Sequence, residues 1–437
     1  MAKAWGFLTS PALMTRPPIE RLSLAVPRVT ALKPTILLTS TNNWLSPVRI
    51  ARTLSDLGCS VQAVCPPHNA LTVSSAVQRA HRYRSFRPTH SIRAAIDAAK
   101  PVLVVPCDDL ATAYLHAIYQ REMRNAVSKS PATVELLVRS LGSPAGYPIT
   151  DSRQQFLAVA REEGVLVPDS APTPNLSSLY TWMCENGAPA VLKMDCTSGG
   201  EGVQIVETPD QARRAFRRLV SRRPNAAIFK RMLIDRDNTP LARLLHLERP
   251  QVSVQQFVAG HDANVVVACW QGRVLAQIAA IVLRTRGPKA PAAVIRLVEN
   301  SDMSSAVKKI VRRLGLSGFA GFDFVIENGT NKPFLIEINP RATQACHLQL
   351  GIGRDLGAAL VASASERPLT RRPALTNRNT IVLWPHVPEE LLPPELVEKA
   401  YFDTPRNDPE VVRLYASLRK RFTLFSAMKS FWNAARA

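Results

Sequence analysis

The 437-residue sequence lacks several features that would assign its class directly. It has no apolar run of eighteen or more residues, so it predicts no membrane-spanning helix. Neither the G-x-x-x-x-G-K-[ST] pattern nor a strand-linked G-x-G-x-x-G occurs, which excludes these two phosphate-binding motifs. An RNA-recognition signature, zinc-finger spacing and internal repeats are also missing. We therefore expect a soluble protein with no specific nucleic-acid partner.

The cysteines fit neither a disulfide framework nor a zinc site. They number seven, which is odd, and no C-x-x-C pair or histidine at zinc-ligand spacing accompanies them. Reduced thiols in a cytoplasmic protein are expected. The first thirty residues are broken by Pro11 and Arg16 and lack a signal-peptide core, although their single acidic residue, Glu20, keeps a transit peptide as an alternative.

Acidic residues are few relative to basic ones. The 34 Asp and Glu stand against 55 Lys and Arg, which gives a formal net charge of +21. Such a surplus attracts nucleotides, anionic substrates, nucleic acids and membrane surfaces, and it does not choose among them. The basic run Arg213 to Arg218 is typical of a solvated helix face.

From about Lys33 the chain alternates short apolar runs with helical patterns. Strands are predicted at 35–38, 60–64 and 102–105, and helices at 47–57 and 92–99. Continuous apolar strands separated by helices are typical of a doubly wound parallel sheet. The loop 39–44 lies where such sheets bind ligands, but its polar residues are also those that a turn requires.

A segment rich in Gly, Pro and Ser at 140–148 marks the end of this first domain. After a helix over 154–163 comes a strand ending at Lys193, a glycine-rich turn and a second strand at 203–206. Glycine leaves backbone N–H groups open to phosphate, so this hairpin could fold over phosphates, with Lys193 as a point charge. An ordinary tight turn is the alternative explanation.

The middle of the chain changes pattern again. Strands over 252–258, 263–270 and 273–281 predict an antiparallel meander. An amphipathic helix over 302–314 follows.

Carboxylate and amide side chains follow one face of the next two predicted strands. Asp323 lies among apolar residues of the strand 319–326, and the chain returns through Glu337 and Asn339. Alternate residues of a strand face the same side, so these three side chains can converge. An unpaired buried carboxylate costs several kcal/mol, which favours a hard cation such as Mg²⁺ over a solvated strand face. Arg341 suits phosphate or carboxylate binding beside them.

The last sixty residues differ from the rest. The segment 385–394 is proline-rich and resembles a linker or a wrapping arm. From Val411 onward there are six basic and no acidic residues, with apolar residues at helical spacing. Such a helix either docks on its own domain or contacts a membrane surface or a protein partner.

The chain resembles the ATP-grasp superfamily in a series of motifs. In chain order these are Arg153, Lys193 before Ser-Gly-Gly-Glu-Gly, the strand 255–258, Asp323 and the row 337–341. The chain resembles most its carbamoyl-phosphate-synthetase- and biotin-carboxylase-like branch of carboxylate–amine ligases. The resemblance implies an α/β and α+β fold with a doubly wound preATP-grasp domain and an ATP-grasp domain of two α+β subdomains. The implied boundaries are an irregular extension at 1–32, the preATP-grasp domain at 33–148, the ATP-grasp domain at 149–372 (flap subdomain about 185–255, metal-binding subdomain about 256–372) and a C-terminal arm with a basic helix at 373–437.

The resemblance also implies a role for each matched residue. Phosphate binding falls to Lys193, Arg153, Ser198, Gly199, Gly200 and Gly202; adenine and ribose binding to Gln255, Gln256, Phe257, Val258 and Asp262; Mg²⁺ or Mn²⁺ binding to Asp323, Glu337 and Asn339; and catalysis to Arg341 and Lys193. The backbone of Gln256 and Val258 would meet the adenine edge. Gln255 stands where the family often has Glu, which leaves the preference for ATP over other nucleotides open.

The implied activity is phosphorylation of a carboxylate by ATP, followed by attack of an amine, a thiol or a similar nucleophile on the acyl phosphate, with release of ADP and phosphate. The alternative is a non-catalytic ATP-binding scaffold whose basic C-terminal helix contacts a partner or a membrane. Arg284, Arg286 and Arg296 are candidates for holding an acidic substrate, or else surface charge. The substrates themselves leave no local signature.

Overall fold

The computed structural model describes residues 33–124, 130–194, 202–221, 251–285, 291–387 and 392–418. The extension at 1–32 and the tail from 419 onward lie outside these ranges. No helix within them combines the length and apolar character that crossing a bilayer needs. The six cysteines in these ranges are free thiols, and Cys196 lies outside them.

A parallel four-stranded sheet opens the described chain. Its elements are β1 (Thr35–Thr39), α1 (Ser46–Asp56), β2 (Ser60–Cys65), β3 (Arg79–Arg82), α2 (Pro88–Ala99), β4 (Leu103–Pro106), α3 (Asp109–Arg124) and α4 (Pro131–Leu141). The strand order is β3-β2-β1-β4, so the chain reverses direction across the sheet between β1 and β4. Ile36 and Leu38 pack with α1, whereas Leu37 packs with α2, α3 and α4. Helices therefore cover both faces, as the sequence predicted.

A second, antiparallel sheet has its own two helices. After α5 (Tyr147–Asp151) and α6 (Arg153–Glu162) come β5 (Ser170–Pro172), α7 (Leu176–Asn186), β6 (Ala190–Met194), β7 (Val203–Val206), α8 (Pro209–Val220) and β8 (Val252–Gln256). The strand order is β5-β8-β6-β7, and α7 and α8 cover one face. We call this the flap sheet. The strand predicted at 252–258 thus ends earlier and pairs with β6, so its assignment to the following meander was wrong.

A seven-stranded sheet forms the largest layer. Its elements are β9 (Gly260–Trp270), β10 (Arg273–Thr285), β11 (Ala292–Val298), α9 (Ser301–Leu314), β12 (Gly318–Glu327), β13 (Pro333–Asn339), α10 (Leu356–Ala364), β14 (Thr380–Val382), α11 (Pro394–Lys399) and β15 (Ala400–Phe402). The order is β13-β12-β9-β10-β11-β14-β15, and one face packs on α6 and α9. The other face packs on α10, α1 and the first sheet in one continuous core.

The C-terminal arm docks on the rest of the chain. The helical segment 409–418 buries Val411 completely, and Tyr415 donates a hydrogen bond to the Pro385 carbonyl at 2.8 Å. Asp403 is buried and pairs with Arg49 of α1 and with His347, whose Nε2 lies 2.7 Å from Asp403 Oδ2. For these residues the docked alternative holds. The basic tail beyond 418 lies outside the described ranges.

We expect Gly142→Ala to lower the free energy of unfolding by more than about 2 kcal/mol, because two penalties coincide at this position. Gly142 has φ 95°, and an added Cβ would lie 2.2 Å from the Gly315 carbonyl oxygen. The matched control is Gly58→Ala, since Gly58 has φ 79° but nothing within 4 Å of its added Cβ. Urea unfolding compares the two, and equal losses would contradict a tight junction between α4 and the end of α9.

Candidate active site

The strands β12 and β13 bring the predicted carboxylates together. Their register places Asp323 directly opposite Glu337 and Gly321 opposite Asn339. The Asn339 Nδ2 donates to Asp323 Oδ2 at 2.9 Å. Phe322 and Phe324, the neighbours of Asp323 along the strand, are buried against the α6 and α9 layer, so the polar row faces the opposite side. The predicted convergence of these three side chains is therefore present.

The electrostatics of the row suit a divalent cation. Burial, reinforced by the like charge of Glu337, raises the pKa of Asp323 to about 7, against the lowering effects of Arg341 and Asn339. A bound cation would relieve this repulsion, and two carboxylates with an amide are ligands that Mg²⁺ accepts. No cluster of three Asp, Glu, His or Cys side chains of the described chain could hold a metal, so the set depends on the Asn339 amide. That amide must turn over to offer Oδ1, which accepts from Arg341 at 2.9 Å.

Lys193, at the end of β6, is buried beside this row. Lys193 is only 5% exposed. Burial, and then the nearby charge of Arg153, lowers the pKa of Lys193 to about 8, while Glu337, Asp323 and Asp262 act in the opposite direction. The ammonium therefore lies within electrostatic reach of four other predicted site residues. A desolvated cation of this kind is suited to binding a phosphate.

Arg153 begins α6, where the Ser152 hydroxyl caps the helix by accepting from Gln155 N at 3.4 Å. The Arg153 Nη2 donates to Glu337 Oε1 at 2.9 Å, and the Arg153 Nη1 donates to the Met194 carbonyl at 3.5 Å. The predicted phosphate-binding arginine thus contacts a predicted metal ligand directly. It also links the helix to the end of the Lys193 strand.

Arg341 is buried and held from several sides. Its Nε donates to Asp109 Oδ1 at 2.6 Å and its Nη2 donates to Asp109 Oδ2 at 3.3 Å. The ring of Trp44 lies 5.3 Å from the guanidinium carbon. Burial opposes the charge, but the attraction of Asp109 outweighs it, so the pKa of Arg341 is raised further. Its cation is therefore permanent.

Sequence reasoning missed Asp109, and it included Trp44 only as part of a loop that could bind a ligand or form a turn. Trp44 follows β1 and Asp109 follows β4. These two strands are neighbours at the point where the strand order of the first sheet reverses. The carboxyl ends of strands at such a reversal are where open α/β sheets bind ligands. This positional rule was the available signal, and for the loop 39–44 turn chemistry offered a competing explanation. Asp108 accounts for part of that chemistry, because its carboxylate accepts from Thr41 N at 2.7 Å.

The residues predicted to bind adenine and ribose lie on β8, just after it, and on β9. Gln255 is buried on β8, and its Nε2 finds no hydrogen-bond acceptor among the described residues. The N–H of Gln256 donates to the Asp169 carbonyl at 2.8 Å, and the adenine contact through the backbone of Gln256 and Val258 stays a prediction. Phe257 and Val258 follow β8 and are half-buried. Asp262 is on β9, and burial raises its pKa against the lowering effect of Lys193.

Most of the glycine-rich turn lies outside the residues that the structure describes. Ser198, Gly199 and Gly200 fall within 195–201, which the structure does not describe. Gly202 is described and buried, and its carbonyl accepts from Met194 N at 2.9 Å, which closes the hairpin of β6 and β7.

Of the three arginines proposed for an acidic substrate, the structure places Arg296 away from the carboxylate row. Arg296 pairs across the sheet with Ile281, whose side chain packs on the α6 and α9 layer, so Arg296 projects from the face opposite Asp323. Arg284 is exposed near the end of β10, and Arg286 lies outside the described residues. The alternative of surface charge applies to Arg296.

A match to a known family covers this region. Residues 152–352 match the family described as "Carbamoyl-phosphate synthase L chain, ATP binding domain". Over 238 residues the chain is 24% identical to the carbamoyl phosphate synthase arginine-specific large chain of Geobacillus stearothermophilus, which covers 54% of this chain and 20% of that relative. The chain therefore spans about a fifth of the length of this curated relative.

Solved structures share the fold over most of the chain. The biotin carboxylase domain of the 2-oxoglutarate carboxylase from Hydrogenobacter thermophilus, in complex with MgADP, ADP and bicarbonate, superposes with a TM-score of 0.55 at 13% identity, covering 77% of this chain and 71% of that chain. The L-amino acid ligase from Bacillus licheniformis gives 0.54 at 15% identity, covering 78% and 79%. At these identities the similarity shows a shared fold.

Proposed function

We propose that this chain is an ATP-dependent ligase that joins a carboxylate to an amine or a similar nucleophile, because residues 152–352 match the carbamoyl-phosphate synthase ATP-binding family. One observation carries the proposal. Three cations, Lys193, Arg153 and Arg341, surround the opposed carboxylates of Asp323 and Glu337 on one side of the large sheet. Cations arranged around two carboxylates suit a metal-bound triphosphate.

Each of the site residues would have its own role in the reaction. Lys193 and Arg153 bind and orient the phosphates of ATP, and Arg341 neutralises charge on the transferred phosphoryl group. Asp323, Glu337 and Asn339 would hold Mg²⁺, with Mn²⁺ as an alternative, which supplies further charge neutralisation there. A substrate carboxylate oxygen attacks the γ-phosphorus as the bond to ADP breaks. The nucleophile then attacks the acyl carbon, phosphate leaves with the bonding electrons, and the nucleophile loses its proton.

Metal-dependent ADP release tests this function. Pools of amino acids and small carboxylates, each with MgATP, are expected to contain at least one combination that releases ADP above the ATP-only rate. Chelation by EDTA should abolish that release. ATP binding without turnover on any pool would overturn the ligase and favour a nucleotide-binding scaffold instead. Within the described residues the scaffold gains no support, because the segment 409–418 packs on its own chain.

The affinity for ATP should fall as the pH rises through about 8, because the pKa of Lys193 is lowered to about 8 by burial and by Arg153. Only the protonated ammonium attracts phosphate, so each pH unit above this value weakens binding by up to about tenfold until the neutral form binds on its own. Calorimetric titration with ATP between about pH 7 and pH 9 measures the slope. The control is Lys193→Arg, whose charge persists over this range. Parallel curves for the two proteins would contradict the assignment of Lys193 to phosphate.

A further inference from the structure

We propose that Asp109 is a positioning residue for phosphoryl transfer, which it serves by fixing the plane of the Arg341 guanidinium. The inference rests on the proposed function and deepens it. Asp109 belongs to the first turn of α3, in the parallel-sheet part of the chain, and lies 232 positions before Arg341. The site would therefore be completed by a residue from outside the matched family region.

The contacts on Arg341 define its orientation. Asp109 engages Nε and Nη2 with its two carboxylate oxygens, at 2.6 and 3.3 Å. Nη2 also donates to Asn339 Oδ1 at 2.9 Å, and the Trp44 ring approaches the guanidinium carbon at 5.3 Å. A guanidinium is planar and carries five donors in a fixed fork, so the Asp109 carboxylate and the Trp44 ring together set where the remaining N–H groups point.

The backbone around Arg341 does not need Asp109 to stay in place. On one side the Thr112 hydroxyl donates to the Pro340 carbonyl at 3.2 Å. On the other side the Ala342 N–H donates to the Pro106 carbonyl at 2.9 Å. The first hydrogen bond joins α3 to the segment after β13, as the ion pair does, and the second joins the end of β4 to the same segment. Removing the Asp109 charge should therefore release the side chain of Arg341 while leaving the turn anchored.

This separation gives the ion pair a kinetic signature. Arg341 meets the phosphoryl group as charge develops on it, and loss of its orientation affects the transition state more than the bound nucleotide. Misplacing a catalytic group by about 1 Å can cost about 100-fold in rate. We expect Asp109→Asn to lower kcat by about 10- to 100-fold, with the dissociation constant of ATP changed by less than about twofold.

The experiment compares Asp109→Asn with Asp109→Glu and with the matched control Asp97→Asn. Asp97 is an exposed carboxylate that pairs with Arg93 Nε at 3.0 Å on α2 and, among the described side chains, bonds to no site residue. Asp109→Glu keeps the carboxylate and should recover part of kcat, whereas Asp97→Asn should match the wild type. Melting temperatures are measured for all four proteins.

A second readout does not depend on turnover. Phenylglyoxal modifies accessible arginines, and peptide mass spectrometry locates the product. In Asp109→Asn the labelling rate of Arg341 should rise several-fold while that of Arg153 stays constant.

The outcomes distinguish this inference from the proposed function. If Asp109→Asn keeps wild-type kcat and Arg341 labelling, the positioning role is wrong and the ligase stands. If ATP affinity, melting temperature and kcat fall together, Asp109 is structural and the inference is also overturned. If the wild type releases no ADP on any pool, the function fails, and the labelling alone decides whether Asp109 holds Arg341.

Discussion

Lys193→Met is expected to lower kcat/KM for MgATP by about 100- to 1000-fold while the protein stays folded. Lys193 is 5% exposed, and burial lowers its pKa to about 8, so its charge is a cost to the folded state. Met fills a similar volume without that cost. The variant should therefore melt at the wild-type temperature or above it, even though a cation that binds phosphate has been lost.

Steady-state ADP release and thermal melting measure the two effects separately. The matched control is Lys309→Met, because Lys309 is an exposed lysine on α9 whose Nζ donates to the Glu163 carbonyl at 3.0 Å. That variant should keep full activity. Wild-type activity in Lys193→Met would show that Lys193 is not a phosphate ligand. A large loss of stability would show that it is a structural cation.

Glu337→Gln is expected to raise the Mg²⁺ concentration required for half-maximal turnover by about 100-fold or more. Removing even an outer partner of a metal ligand costs about 10- to 100-fold in affinity, and Glu337 is proposed as a ligand itself. The change keeps the size of the side chain, and the amide oxygen can still accept from Arg153. The pKa of Asp323 should fall towards its ordinary value, because the charge of Glu337 contributes to raising it.

A Mg²⁺ titration of ADP release measures the shift, and Mn²⁺ binding followed by electron paramagnetic resonance reports the metal without turnover. Glu327→Gln serves as the control, since Glu327 ends β12 on the same pair of strands and bonds only to the neighbouring Thr330 hydroxyl among the side chains described. An unchanged metal requirement in Glu337→Gln would remove this residue from the metal site.

Local periodicity explains why part of the candidate site was predictable. Asp323, Glu337 and Asn339 sit on two strands joined by a short turn, and alternation alone places them on one face. Lys193 was likewise marked by its position between a strand and a glycine-rich turn. The roles of these residues remain proposals, but their convergence followed from the sequence.

Long-range pairing explains most of what was missed. The alternation of β8 is the same whether it pairs with β6 or β9, and its partner lies about sixty residues earlier. Asp109 meets Arg341 from another sheet, and no spacing rule links the two. The helix α3 itself was not predicted because it buries Thr112 and His116, which interrupt its apolar stripe.

Weak patterns explain two other missing elements. The strand β3, Arg79–Arg82, is a polar edge strand without apolar alternation. The helix α7 buries only Leu179 and Trp182, which is too narrow a stripe to stand out in the sequence.

The distribution of apolar contacts among the three sheets determines which parts of the chain can move independently. The first sheet and the seven-stranded sheet share one core through α1 and α10, so a rotation between them would expose side chains such as Leu54 and Leu360 to water. Among the described residues, the apolar cluster of the flap sheet is formed with α7 and α8 and is separate from the core that the other two sheets share. Hinge motion on nucleotide entry and release is therefore cheapest at the connections of the flap sheet, which would carry Lys193 with it while Asp323, Glu337 and Arg341 stay fixed.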